Sequence, residues 1–205
     1  MIKLISFDIG GTLVKRQGTS FTTELKDLLR KYGKDPIKAY ESLRVNDFSI
    51  ADYCNYIGVN CEEEIRNLIK RTAEKSELYE EVREVLIQLK ERYKLVTISN
   101  AVSIKNPNLS DYQIGELFDL ELYSFKCGSL KPDIRMFKYI EKYCDVLGTE
   151  CVHVGDTKND IVGASRAGWK KILLCREDHS IAIGEENLDY TINNLRDLFP
   201  ILKDI

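Results

Sequence analysis

The sequence predicts an α/β fold: a doubly wound parallel sheet carrying a small inserted all-helical unit. Three observations support this. Apolar runs of strand length recur at residues 4–7, 95–98, 151–154 and 172–175, with helical patterns between them. Strands alternating with helices favour a parallel sheet covered on both faces. The stretch between the first two runs is too long for one crossover helix, so a separate unit is expected there.

Taken in order, the first run, Leu4-Ile5-Ser6-Phe7, ends in Asp8, followed shortly by Gly10, Gly11 and Thr12. That pattern reads as a buried strand delivering an acid to a backbone turn. Residues 22–32, 36–43, 50–57 and 62–75 then read as short amphipathic helices punctuated by Gly33, Pro36 and Gly58. Thr22 is a candidate N-cap, because its hydroxyl can accept an amide at the helix start. The expected division is a core of residues 1–17 and 78–205, with a helical cap over 18–77. The core resumes in a helix over 78–92 with Val82, Val85, Leu86 and Leu89 on one face. Residues 117–122 suggest a shorter strand, and 190–202 a last strand and turn of helix.

The 205 residues carry a net charge of −3 with acids and bases interspersed. No basic stripe marks a nucleic-acid surface, and no apolar stretch is long enough to span a bilayer. The N-terminus runs straight into a strand without a signal-peptide pattern. A soluble cytoplasmic protein is therefore expected. Six cysteines form no C-x-x-C pair, and histidine is scarce, which argues against a zinc site. Cys151 and Cys175 fall in apolar runs, where a thiol behaves as a small hydrophobe. Reduced, buried cysteines are expected, with Cys54 and Cys61 as a conceivable pair.

The chemistry-bearing residues lie just past strand ends, where open α/β sheets bind ligands. Asp8 is a candidate nucleophile: carboxylate attack on phosphorus would split one hard hydrolysis into two steps. Gly10, Gly11 and Thr12 let the backbone approach a phosphate. Ser99, followed by Asn100, can donate a hydroxyl hydrogen bond, though serine and asparagine also cap helices routinely. Lys131 precedes Pro132 and can pair with an acid and a phosphate; alone, it could equally be a solvated charge. Asp156 and Asp160, in Gly155-Asp156-Thr157-Lys158-Asn159-Asp160, can face one hard cation such as Mg²⁺. They can also simply favour a helix N-terminus.

Together these four segments resemble, in order and spacing, the motifs of haloacid dehalogenase-like hydrolases. The resemblance covers residues 1–15 and roughly 78 onward, with a helical cap of the type inserted after the first motif. It implies Asp8 as nucleophile and Mg²⁺ ligand, with Lys131 as its catalytic partner. Gly11, Thr12, Ser99, Asn100 and Lys131 would bind the substrate. Asp156, the Gly10 carbonyl and Asp160 would serve the metal. Phosphatases of this family carry a second Asp where this chain has Gly10, so the general acid–base is missing. The implied function is Mg²⁺-dependent hydrolysis of a small phosphorylated metabolite through an aspartyl-phosphate, slowed by Gly10.

Other readings stay open. One is a catalytically silent binder of a phosphorylated ligand or a protein. Another is phosphonatase chemistry, for which Lys15, Lys26, Lys31 and Lys34 are the available lysines. A third is metal-free dehalogenation. The string Asp8-Ile9-Gly10-Gly11-Thr12 also looks like the phosphate loop of actin-like sugar kinases, but those need two similar domains. His179, Asp47 and Asp52 are candidate substitutes for the missing acid. His153 lies inside a buried strand, where a satisfied core histidine is the expectation.

Overall fold

The computed structural model describes residues 1–15, 21–73, 76–105, 108–176 and 188–205. Among these residues, six strands form one sheet in the order β3-β2-β1-β4-β5-β6. They are β1 (Leu4–Phe7), β2 (Lys94–Ser99), β3 (Leu120–Tyr123), β4 (Cys151–Gly155), β5 (Lys170–Leu174) and β6 (Tyr190–Ile192). Every neighbouring pair is parallel. The helices are α1 (Phe21–Lys31), α2 (Pro36–Val45), α3 (Ile50–Ile57), α4 (Glu62–Ala73), α5 (Val82–Lys90), α6 (Ser124–Cys127), α7 (Ile134–Cys144), α8 (Lys158–Ala167) and α9 (Leu198–Asp204).

Alternate strand residues face opposite layers, as a pleated strand requires. Ile5, Phe7, Leu95, Val152 and Val154 pack with Val82, Val85, Leu86 and Leu89 of α5 and Leu198 and Leu202 of α9. Leu4, Val96, Ile98 and Cys151 face the other way, onto Met136, Phe137 and Ile140 of α7 and Ala164 of α8. Both faces are covered, which is why the central strands read as continuous apolar runs. The direction of strand addition reverses between β1 and β4, and the ends of those two strands carry Asp8 and Asp156.

Helices α1–α4 share a separate apolar cluster that includes Leu25, Leu29, Leu43, Tyr53, Ile57 and Ile65. Val102 and Ile104, just past β2, also belong to it. Phe48 N donates to Ser103 Oγ at 3.2 Å, and Lys126 pairs with Asp47 at 2.6 Å. The helical segment thus sits over the carboxyl end of β2. Asp35 caps α2 by accepting from Ile37 N and Lys38 N, with Pro36 at the first helical position. Gly58 ends α3 in the left-handed conformation, φ 65°.

Several expectations shift. The helix expected from residue 78 begins at Val82, because Leu78 is spent in an antiparallel bridge to Val14 and Tyr79 N donates to Leu13 O. Thr22 is not an N-cap: α1 already starts at Phe21, and the Thr22 hydroxyl meets Tyr40 Oη at 2.9 Å. The strand expected over 117–122 starts at Leu120, with a 3₁₀ turn before it. Cys175 lies one residue beyond β5 and is half-buried. Cys54 and Cys61 are free thiols, buried, with sulfurs 3.5 Å apart. His179 and the cap boundary at 17/18 lie outside the described residues. Among those described, no helix is long and apolar enough to cross a membrane.

Candidate active site

The site grows from the ends of three strands. Asp8 follows β1, and its amide donates to Val154 O at 2.9 Å, locking it beside β4. The chain then folds back on itself: Leu13 N and Val14 N both donate to Ile9 O, and Gly11 N to Val14 O. Gly11 takes φ 90°, a conformation that favours glycine. Thr12 is fully buried, and its hydroxyl has no hydrogen-bond partner among the described residues. Ser99 closes β2 and is buried.

Lys131 is the hub. Its ammonium donates to Asp8 Oδ1 at 2.6 Å, Asp160 Oδ1 at 2.5 Å and Ile98 O at 2.8 Å, which uses all three of its protons. Burial alone works against its charge, but the Asp160 and Asp8 carboxylates outweigh that and hold its pKa above the ordinary value. Asn100 fixes the lysine's backbone from both sides: its Oδ1 accepts from Lys131 N at 2.8 Å, and its Nδ2 donates to Lys131 O at 3.1 Å. Asn100 therefore acts as a buttress for Lys131, using one of its two amide hydrogens and one oxygen lone pair.

Asp160 is fully buried, and both its oxygens are engaged. Oδ1 meets Lys131 and His153 Nε2, the latter at 3.1 Å. Oδ2 accepts from Thr157 N at 2.9 Å and from the Thr157 hydroxyl. Burial opposes this carboxylate's charge, yet Lys131 and His153 pull its pKa well below the usual range. Gly155 makes the arrangement possible, since a Cβ there would collide with the Asp160 carboxyl group. The glycine in the G-D-x-x-x-D run is thus a close-approach residue.

His153 is the satisfied core histidine that the sequence suggests, held between Ser6 Oγ at 2.6 Å and Asp160. Asp47 and Asp52 are engaged elsewhere, Asp47 with Lys126 and Asp52 with Ser49 Oγ at the start of α3. Of the candidate Schiff-base lysines, Lys15 pairs with Glu77, and Lys26 and Lys31 lie over the Tyr40 and Tyr32 rings.

Asp8, Asp156 and Asp160 each offer an oxygen, all within 4.8 Å of one another. Lys131 pairs with the buried Asp8 and Asp160, and Asp156 adds a third buried carboxylate, a gathering of negative charge that a hard cation would offset. All-oxygen donors suit Mg²⁺. Because Asp160 is saturated by donors, direct contacts would fall to Asp8 and Asp156.

Residues 5–174 match the model of the family described as haloacid dehalogenase-like hydrolase. The chain belongs to that family. This haloacid dehalogenase-like hydrolase is 26% identical to a phosphoglycolate phosphatase of Pseudomonas savastanoi pv. phaseolicola, across 97% of the chain and 79% of that protein. It is 32% identical to the glyceraldehyde 3-phosphate phosphatase of Methanocaldococcus jannaschii over 55% of the chain and 50% of that protein. Its fold matches a 2-haloacid dehalogenase from Pseudomonas syringae pv. tomato with a TM-score of 0.69 and 22% identity, covering 100% of the chain and 99% of that structure. A phosphatase from Thermococcus onnurineus matches with a TM-score of 0.67 and 23% identity, covering 98% of each chain.

Sequence reasoning passed over Ser6, Glu81 and Arg176. Ser6 is hidden inside an apolar run. Arg176 touches Thr12 across 164 positions of sequence, a contact that only the sheet order creates.

Proposed function

We propose that the chain is a Mg²⁺-dependent phosphatase of a small phosphorylated metabolite, working through a phosphoryl group carried on Asp8. The observation that carries this reading is the buried Asp8–Lys131–Asp160 cluster with Asp156 alongside. Relatives named for phosphoglycolate and glyceraldehyde 3-phosphate support the substrate class.

In this reading the helical segment 18–77 caps the site and shields the reaction from water. Lys131 holds Asp8 Oδ1, so the carboxylate is aimed before substrate arrives. An Asp8 oxygen attacks phosphorus, the bond from phosphorus to the ester oxygen breaks, and that oxygen leaves with the electron pair. Ser99, Thr12 and the Gly11 turn donate to the phosphoryl oxygens. Bound Mg²⁺, held by Asp8, Asp156 and the Gly10 carbonyl, would neutralise phosphoryl charge. Asp160 keeps Lys131 and the Thr157 loop in place. Gly10 has no acid to protonate the leaving oxygen or to activate water afterwards, so the proton comes from solvent and the second step is slow. Gly10 also favours a second reading, a phospho-ligand binder that does not turn over.

The test is hydrolysis of an aryl phosphate with and without Mg²⁺ by wild type and Asp8→Asn. Turnover that needs both the ion and Asp8 is expected. Mg²⁺-linked phosphate binding without turnover would select the second reading.

A further inference from the structure

We propose that Arg176 is a positioning residue for the turn that receives the phosphoryl group. The inference deepens the phosphatase reading and rests on it for the identity of that turn.

Arg176 lies two residues past β5, and the intervening Cys175 N is bonded to Ile192 O at 2.8 Å, so its backbone is anchored beside the sheet. One guanidinium then serves three groups. Its Nη2 donates to Thr12 O at 2.9 Å. The same nitrogen pairs with Glu81 Oε1 at 2.8 Å. Its Cζ lies over the Tyr79 ring, 3.4 Å from the centroid. The two charged side chains are 10% and 4% exposed, so water does little to screen the pair.

The contact to Thr12 has a geometric consequence. The amide of the same peptide unit, Leu13 N, donates to Ile9 O at 2.9 Å. The Thr12–Leu13 peptide plane is therefore held at both ends, at its oxygen by Arg176 and at its hydrogen by Ile9. Fixing that plane restrains the backbone that carries the Thr12 side chain, whose hydroxyl is buried without a hydrogen-bond partner among the described residues. Glu81 and Tyr79 lie where the helical segment rejoins the core, and Tyr79 N donates to Leu13 O at 3.1 Å. The clamp thus ties the turn, β5 and the return from the cap into one unit.

An ion pair is not needed here for stability alone, because apolar replacements of buried pairs are often neutral or stabilising. What arginine adds is a guanidinium whose Nη2 bonds Thr12 O and Glu81 Oε1 while its carbon lies over an aromatic ring. Lysine can keep the charge near Glu81 but cannot do both.

The test compares wild type, Arg176→Lys and the double variant Arg176→Met/Glu81→Gln, which leaves no orphaned charge. The readouts are denaturant stability, amide hydrogen exchange at Leu13 and Val14, and kcat and KM for an aryl phosphate with Mg²⁺. Both variants are expected to fold, to exchange at Leu13 and Val14 at least about tenfold faster, and to lose about 10- to 100-fold in kcat/KM, the scale of a small misplacement. Arg176→Lys should keep its stability without rescuing either readout. Unchanged exchange at the turn would overturn the proposal. So would faster exchange with wild-type kcat/KM, because the clamp would then be structural only. Absence of Asp8-dependent turnover in wild type would instead sink the phosphatase reading, and the exchange data would still show whether Arg176 holds the turn.

Discussion

Replacing Lys131 with methionine removes the ammonium that bridges the buried Asp8 and Asp160 carboxylates. The change keeps an unbranched, flexible side chain one atom shorter and discards its charge. Asp8 Oδ1, Asp160 Oδ1 and Ile98 O each lose a donor, and two of those acceptors are charged. Lys131 is 3% exposed and Asp160 0%, so water cannot replace what is lost. Breaking a buried pair by removing one partner costs about 3–5 kcal/mol. That is a large part of the roughly 5–15 kcal/mol that holds an ordinary domain together. For a chain of this size it corresponds to a fall of about 6–20 °C in Tm. The assay is chemical denaturation with and without Mg²⁺. The variant should gain more from Mg²⁺ than wild type does, because a bound cation offsets the uncompensated charge and stabilises by mass action. A loss below about 1 kcal/mol would refute this reasoning, since a lone buried charge should cost more. So would equal stabilisation of both proteins by Mg²⁺.

Gly10→Asp should raise aryl phosphate turnover by about 10²- to 10⁴-fold, the worth of a positioned acid–base group. Gly10 is not among the glycines of positive φ; an unchanged rate would show that the missing acid is not the bottleneck. Gly155→Ala drives a Cβ into the Asp160 carboxyl group and should cost about 1–3 kcal/mol while weakening Mg²⁺ affinity, measured by titration calorimetry. Asp133 caps α7, and its hydrogen bonds with the Arg135 side chain and backbone hold its pKa down at about 2, against 3.8 ordinarily. Asp133→Ala should therefore cost about 0.5–2 kcal/mol at neutral pH. A depressed carboxylate stabilises above its unfolded pKa, so the gap between wild type and variant should close as pH falls from about 4 toward 2. A gap independent of pH would contradict that assignment.

The fold was readable because each central strand is covered on both faces and so spells an uninterrupted apolar run. Asp8, Ser99 and Asp156 were readable for a related reason: each interrupts or follows such a run at its carboxyl end. Helix 78–92 was overextended because Leu78 is apolar for a different purpose, pairing with Val14 in an extended bridge. Asn100 carries a side chain equally suited to a ligand or to a backbone, and only coordinates show it gripping Lys131. His153 was rightly read as a core residue, yet the partner that satisfies it is Asp160. Arg176 leaves no local signal, because it lies in the last third of the chain and joins Thr12 from the first third to Glu81 from the second.

The most direct test of the account is whether Asp8 carries a phosphoryl group during turnover. Wild type and Asp8→Asn would be mixed with an aryl phosphate and Mg²⁺, quenched in acid, digested and weighed by mass spectrometry. One phosphoryl adduct is expected on the peptide containing Asp8, accumulating because Gly10 cannot activate water, and none in Asp8→Asn. Phosphate release in wild type with no adduct at Asp8, undiminished in Asp8→Asn, would contradict it.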